Sequence, residues 1–193
     1  MNFDYKSKNV LEIGFGNGSD LLEFKKRGSL VYGIDINKFA VNQLKKKHNS
    51  LILQKLDCTS TDNFFKNIKF DLIYHRDLIY YLSDVEIKNL QKNICDNLKK
   101  KGLYVFQYIE NDFAKIKYLN LQSNLNKNFL YNYRKKKFFE KNNPVRFLNF
   151  NNLYKITKKV GFKFIGKKLL IESYGFNEAS IRINRYMAFF KNE

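Results

Sequence analysis

The segment VLEIGFGNG, residues 10–18, constrains the fold most strongly, because an apolar run leads directly into three alternating glycines. A second apolar run, VYGID, follows and ends on Asp35. A strand, a glycine turn, a helix and a second strand that ends in a carboxylate form the nucleoside-binding half of a parallel α/β sheet. The sequence therefore predicts a site for a nucleoside cofactor.

The spacing of these glycines indicates which kind of nucleoside is bound. A dinucleotide fingerprint has the form G-x-G-x-x-G, which seats a pyrophosphate against the helix N-terminus. Here Ser19 takes the third glycine position of that fingerprint, counted from Gly14, and Glu12 stands two residues before Gly14. A carboxylate at that position would repel a pyrophosphate and attract an amino group. The pattern favours a nucleoside cofactor without a pyrophosphate.

Strand and helix patterns alternate along the first 109 residues. Ser83 and Glu86 have the spacing of a capping box, and the apolar residues that follow them recur at helical intervals. This alternation predicts a doubly wound, mostly parallel α/β sheet whose strand ends meet at one edge. Strands are predicted at 9–14, 30–35, 51–56, 70–75 and 103–109, and helices at 18–27, 37–47, 60–67 and 84–99.

With these motifs the chain resembles the Rossmann-like (class I) S-adenosylmethionine-dependent methyltransferases, whose first motif is an acidic residue followed by G-x-G-x-G. Residues 70–82 look like the fourth strand and its loop, and residues 99–110 look like the fifth strand. Residues 160–175 and 183–192 look like the closing β-hairpin of that family. The resemblance implies a seven-stranded sheet, one domain over residues 1–193, and S-adenosylmethionine (SAM) as cofactor.

The resemblance also implies roles for individual residues. Asp35 matches the carboxylate that holds the ribose hydroxyls, and Asp57 with Cys58 matches the pair beside the adenine. Taken singly, a glycine could merely turn the chain, and Asp35 could cap the next helix. The residues expected to bind the cofactor are Glu12, Gly14, Phe15, Gly16, Gly18, Asp35, Ile36, Asp57, Cys58 and His75.

The end of the predicted fourth strand, Tyr74-His75-Arg76-Asp77, offers candidate groups for the acceptor. His75 is a candidate general base, since a free imidazole titrates at about pH 6.5; the alternative is a structural hydrogen bond. Arg76 could hold an anionic acceptor or pair with Asp77. Tyr80 is a candidate acceptor contact or a packing residue.

Residues 110–152 interrupt the alternation of strands and helices. By comparison with the methyltransferases, this insertion after the fifth strand is expected to cover the substrate, with Arg134 and Arg146 as candidate acceptor contacts. The alternative is an irregular surface helix pair without a role in binding.

The net charge of +18 raises the question of a nucleic-acid surface. Only six of the 36 basic residues are arginine, whereas phosphate-reading proteins tend to favour the arginine fork. We therefore attribute most of the charge to lysine-rich composition. The two cysteines, the absence of metal-ligand spacings and the absence of a long apolar run predict a cytoplasmic protein without a metal or a membrane segment.

Three functions remain open at this point. The first is methyl transfer to the oxygen or nitrogen of a small metabolite, which the basic insertion suggests is anionic or sugar-derived. The second is an RNA or protein methyltransferase that uses the basic surface. The third is a SAM-binding domain without catalysis. Nucleic acid is the less favoured partner, because the fourth-strand loop lacks the Asn/Asp-Pro-Pro-aromatic motif of base amino methylation and the chain has no Pro-Cys nucleophile. A monomer or a homodimer is expected.

Overall fold

The computed structural model describes residues 3–60, 63–109, 148–174 and 181–192. Within them, seven strands form one sheet in the order β3-β2-β1-β4-β5-β7-β6. The strands are β1 Asn9–Ile13, β2 Leu30–Asp35, β3 Ile52–Lys55, β4 Phe70–His75, β5 Leu98–Ile109, β6 Phe162–Tyr174 and β7 Ile181–Asn192. The helices are α1 Ser19–Lys26, α2 Lys38–Lys47, α3 Asp84–Asn97 and α4 Phe150–Lys159, and a 3-10 turn spans Ile79–Tyr81.

The predicted fold class is confirmed. Strands β1 to β5 pair in parallel, and β7 runs antiparallel between β5 and β6, so the last two strands form the expected hairpin. The chain proceeds outward from β1 to β3 and then returns to place β4 on the other side of β1. This reversal opens a crevice at the carboxyl ends of β1 and β4, where doubly wound sheets bind ligands.

Two helical layers cover the sheet. Helices α1 and α2 pack Leu21, Val41 and Leu44 against one face. Helices α3 and α4 pack mainly leucine and isoleucine side chains against the other face, where Gln91 Nε2 also donates to Thr157 Oγ1 at 2.7 Å. The apolar stripes of the helices therefore fix both layers, as the periodicity predicts.

The start of α3 confirms the capping box. The backbone N–H of Ser83 donates to Glu86 Oε2 at 2.7 Å, and the backbone N–H of Glu86 donates to Ser83 Oγ at 3.3 Å. Two N–H groups of the first turn are thus satisfied by side chains, which sets where this helix begins.

Two predicted elements differ from the structure. The helix predicted at 60–67 is wrong, because residues 60 and 64–67 form turns and bends. Phe64 is fully buried there, and Asn67 has a φ of 64°, which a helix does not accommodate. Strand β5 begins at Leu98 rather than 103, and an irregularity in its pairing with β4 absorbs the additional residues.

Candidate active site

The turn between β1 and α1 gives its glycines different tasks. Gly18 has a φ of 78°, and a Cβ there would lie 2.3 Å from Leu44 Cδ2 in α2. Gly16 has a φ of 55°, but no atom lies within 4 Å of the place its Cβ would take. Gly18 therefore permits helix packing, whereas Gly16 leaves open space above the turn for a ligand.

Asp35 ties the end of β2 to this turn. Its Oδ2 accepts a hydrogen bond from the backbone N–H of Gly16 at 2.9 Å, and its Oδ1 accepts from the N–H of Asn37 at 2.8 Å. A carboxylate offers about four lone-pair sites, so about two remain for further donors. The carboxylate is thus fixed in place and retains the capacity to bind a pair of hydroxyls.

Glu12 is a buried carboxyl with an unsatisfied oxygen. It is 3% exposed, and no hydrogen-bond partner for its Oε2 is found in the described part of the chain. Burial raises the pKa of Glu12 well above its usual value, and the charge of nearby Asp20 raises it further, whereas Arg76 opposes the increase. A cationic group placed beside Glu12 would satisfy the oxygen and favour the carboxylate.

A polar cluster continues from Glu12 along the α1 side of the sheet. Tyr74 lies opposite Glu12 in the β1–β4 register, and burial raises the pKa of its phenol. Asp20 Oδ2 lies 3.4 Å from Arg76 Nη1, and the Arg76 side chain is 43% exposed. Arg76 therefore pairs with Asp20 while still reaching solvent at the carboxyl edge.

The predicted adenine side is partly open. Ile36 is 66% exposed directly after Asp35, so it offers an apolar surface at the edge of the sheet. Asp57 is exposed, and its Oδ1 accepts hydrogen bonds from both the N–H and the hydroxyl of Thr59 at 2.8 Å. Cys58 is buried, and burial raises its thiol pKa to about 12. Cys58 is accordingly a neutral packing residue, and its carbonyl oxygen accepts a hydrogen bond from Asn93 Nδ2 at 3.1 Å.

Phe15, predicted at the cofactor site, directs its side chain away from the turn. Its side chain is 3% exposed and packs in the core beneath α1 and α2, so only its backbone lies at the turn. Gly33 permits this packing, because a Cβ at Gly33 would lie 2.8 Å from both Phe15 and Leu53. Sequence reasoning missed Gly33, although a glycine within an otherwise apolar strand signals close packing.

His75 does not have the position of a general base. Its side chain is fully buried, its Nε2 lies 2.9 Å from the Tyr104 hydroxyl, and its ring stacks on Phe106 at 5.4 Å. Burial lowers the pKa of His75 to about 3, so the imidazole is neutral at physiological pH. The general-base hypothesis is therefore corrected, because the side chain at the end of β4 faces the α3 layer and not the crevice.

The remaining predicted acceptor residues lie at the edge of, or outside, the described structure. The backbone of Tyr80 forms the centre of the 3-10 turn, and its side chain is not described. Arg134, Arg146 and residues 110–147 of the insertion lie outside the described residues. Asp77, which the sequence suggested only as a pairing partner of Arg76, has a φ of 56° in the loop after β4. A non-glycine residue in this conformation is strained, a feature common at functional sites.

A fixed carboxylate and a glycine turn, set at the crevice of this sheet, define a nucleoside-binding α/β domain. A family model for the methyltransferase domain matches residues 2–165, and the chain belongs to that family. It is thus a class I SAM-dependent methyltransferase domain.

The proteins to which this chain is similar include several methyltransferases. Phosphoethanolamine N-methyltransferase 1 of Zea mays is 30% identical over 105 residues, which cover 53% of this chain and 21% of that protein. The chain thus spans about a fifth of the curated relative's length. A SAM-dependent methyltransferase from Mesorhizobium loti has a TM-score of 0.73 at 12% identity, covering 99% of this chain and 94% of its own. Magnesium protoporphyrin IX methyltransferase from Synechocystis, solved with SAH, has a TM-score of 0.68 at 13% identity over 98% and 76% of the two chains.

Membrane spans and metal clusters can be assessed for the described residues. Among these residues, no helix is both long and apolar enough to cross a membrane. Residues 3–60, 63–109, 148–174 and 181–192 contain no cluster of three or more His, Cys, Asp or Glu side chains that could hold a metal ion.

Proposed function

We propose that this domain transfers the methyl group of SAM to a nitrogen or oxygen of a small metabolite, with an anionic or sugar-derived acceptor favoured. The observation that carries the proposal is the Asp35 carboxylate fixed by Gly16 at the crevice of a methyltransferase fold. The similarity to phosphoethanolamine N-methyltransferases of Zea mays and Arabidopsis thaliana supports a small, phosphorylated acceptor.

The residues present fit SAM chemically. Asp35 would hold the ribose hydroxyls, and the exposed Ile36 would lie against the adenine. The unsatisfied Glu12 Oε2 would accept from the ammonium group, either directly or through a water. Gly16 would let the ligand approach the backbone. The bound cofactor supplies an activated sulfonium methyl group, so the domain's own tasks are orientation of the acceptor and exclusion of water.

The burial of His75 bears on which atom is methylated. A hydroxyl acceptor must lose a proton during transfer, but His75 is inaccessible and its pKa is lowered to about 3. An alkylammonium group must also lose a proton before its nitrogen attacks, but it releases that proton to water far more readily than an alcohol does, so transfer to nitrogen does not need a protein base. Within the proposal, N-methylation is therefore favoured over O-methylation. Arg76, which reaches solvent beside Asp20, would bind an anionic group of the acceptor.

We extend the proposal to the domain organisation, the compartment and the oligomeric state. We infer one domain over residues 1–193, in which the insertion predicted at 110–152 covers the acceptor with the part that precedes α4, including Arg134 and Arg146. We also infer a cytoplasmic monomer or homodimer, consistent with the free thiols of Cys58 and Cys95. Sedimentation of the purified chain and cell fractionation test these two inferences.

The experiment is incubation with methyl-labelled SAM and a cell extract divided into small molecules and polymers. Label in the small-molecule fraction is expected, and phosphorylated primary amines are the first compounds to test singly. At a SAM concentration near the wild-type dissociation constant, Asp35→Ala should strongly reduce this label, whereas Asp71→Ala, at a carboxylate paired with Lys99 far from the turn, should retain it. Label in RNA or protein alone would contradict the proposal, and binding of SAM without any transfer would support the non-catalytic alternative.

A further inference from the structure

A cavity lies on the α1 side of the sheet, and none of the glycines of the turn after β1 lines it. It has a volume of about 270 Å³ and opens between α1, the amino-terminal segment and strands β4, β5 and β7. Leu72, the ring of Tyr74 and Val105 form a recessed, largely apolar floor with exposures of 4%, 7% and 7%. Aromatic rings form one wall, with Phe3 and Tyr5 at a centroid distance of 4.8 Å.

A second cavity of about 400 Å³ adjoins the first, since Phe3 and Leu103 line both. Asp71 is the single carboxylate residue lining this second cavity within the described structure. Asp71 pairs with Lys99 at 2.8 Å. Five lysines line this cavity, and the four other than Lys99 have no carboxylate within ion-pair distance in the described residues. The cavity therefore carries a large positive charge. The five lysines are Lys8, Lys99, Lys100, Lys101 and Lys191.

Three of these lysines, Lys99, Lys100 and Lys101, lie in the irregular segment at the start of β5. Lys101 has a φ of 63°, and a Cβ at Gly102 would lie 2.9 Å from the carbonyl oxygen of Lys99. Close packing therefore fixes the path of this irregular segment, and with it the position of the positive charge beside the apolar cavity.

The opposite end of the apolar cavity has charges that are already paired. Glu23 Oε1 lies 2.8 Å from Arg27 Nε, and Asp20 Oδ2 lies 3.4 Å from Arg76 Nη1. The combined groove is thus apolar along its length and strongly positive at one end only. An anionic group can lie favourably at the lysines, with an apolar chain extending toward Tyr74.

We propose that this groove, formed by the two adjoining cavities, binds a single-chain amphiphile with a phosphate-type anionic head. The recessed floor favours a free molecule over a bilayer surface, because a flat membrane does not reach side chains that are less than a tenth exposed. The apolar half distinguishes the ligand from RNA, which needs exposed aromatic platforms or cationic side chains along its backbone. This binding does not depend on methyl transfer.

The test is calorimetric titration of the full chain with dodecyl phosphate, butyl phosphate and dodecylphosphocholine, each below its micelle concentration. Dodecyl phosphate is expected to bind one per chain and at least tenfold more tightly than either of the others. Equal affinity for butyl phosphate would indicate an anion site only and would overturn the proposal. Equal affinity for dodecylphosphocholine would show that the anionic head is not recognised and would overturn the proposal. Binding only to vesicles of phosphatidylglycerol would also overturn it, because it would indicate a membrane surface.

Matched variants separate the groove from general charge attraction. Lys100→Glu with Lys101→Glu should weaken dodecyl phosphate binding at least tenfold. Lys45→Glu with Lys46→Glu changes the net charge equally at the exposed end of α2 and should alter affinity less than twofold. Equal weakening by both pairs, or displacement of dodecyl phosphate by an RNA oligonucleotide, would contradict the assignment. Circular dichroism of each variant verifies that it is folded.

Discussion

The Oδ2 atom of Asp35 accepts a hydrogen bond from the backbone N–H of Gly16 at 2.9 Å, across 19 residues of chain. This bond joins the end of β2 to the turn after β1, and it orients a carboxylate that is 9% exposed. The same carboxylate therefore stabilises the turn and presents lone pairs to a ligand.

Asp35→Ala should weaken SAM binding by about 1.5–3 kcal/mol, because hydrogen bonds to a charged group are lost. Calorimetric titration with SAM measures the change. Asp71→Ala is the control, since it removes an equal charge at the other edge of the sheet. Unchanged affinity in Asp35→Ala would remove this residue from the cofactor site.

Glu12→Gln should stabilise the free protein at neutral pH but weaken SAM binding. The raised pKa of Glu12 makes its charged form unfavourable in the folded state. The stability that protonated Glu12 contributes is fully present below its pKa in the unfolded state, about 4.3. This stability is lost as the pH rises through the raised pKa of Glu12 in the folded state. Urea unfolding from pH 4 upward should show this loss in the wild type and a smaller loss in Glu12→Gln.

SAM binding should also release protons from Glu12, since a neighbouring cation favours the carboxylate. Titrations in buffers of different ionisation enthalpy would measure the release, and Glu12→Gln should reduce it. Identical proton release in both proteins would show that Glu12 does not face the ammonium group.

Two glycine substitutions should separate stability from binding. Gly18→Ala should lower the free energy of unfolding by about 2–5 kcal/mol, because the new methyl group meets Leu44 and the backbone is left-handed. Gly16→Ala should cost only about 1–2 kcal/mol, since its surroundings are open. It should instead reduce SAM affinity, measured by titration. A smaller loss of stability in Gly18→Ala than in Gly16→Ala would contradict the packing argument.

The rate of methyl transfer should show no titration of His75 between pH 5 and 8, because burial lowers its pKa to about 3. The folded state therefore binds fewer protons than the unfolded state below about pH 6.5, and stability should fall as pH falls toward 3. His75→Gln should lessen that fall. The measurements are a pH–rate profile and urea unfolding from pH 7 to 4. A catalytic pKa near 6.5 that disappears in His75→Gln would restore His75 as a base.

The sequence indicated the fold correctly where local patterns repeat. The glycine turn, the strand ending in Asp35 and the Ser83–Glu86 capping box are all local, so their chemistry could be inferred without tertiary contacts. The helix predicted at 60–67 failed because two adjacent phenylalanines, Phe64 and Phe65, turn toward the core without helical backbone.

The site was less predictable than the fold. Period-two alternation shows that His75 and Tyr74 lie on opposite faces of β4, but it does not show which helices cover each face. The crossover connections decide this, and they place His75 beside Tyr104 and Tyr74 beside Glu12. The salt bridge of Arg76 with Asp20 joins residues from two elements and has no local signal.

The sequence by itself determined the α/β class, the glycine turn and the carboxylate at the end of the second strand. Only the tertiary structure decided that Glu12 retains an unsatisfied oxygen, that His75 is buried in the core, and that the lysines at the start of β5 adjoin an apolar cavity. The physical reason is that backbone geometry follows from near neighbours, whereas burial and charge pairing depend on residues brought together from distant parts of the chain.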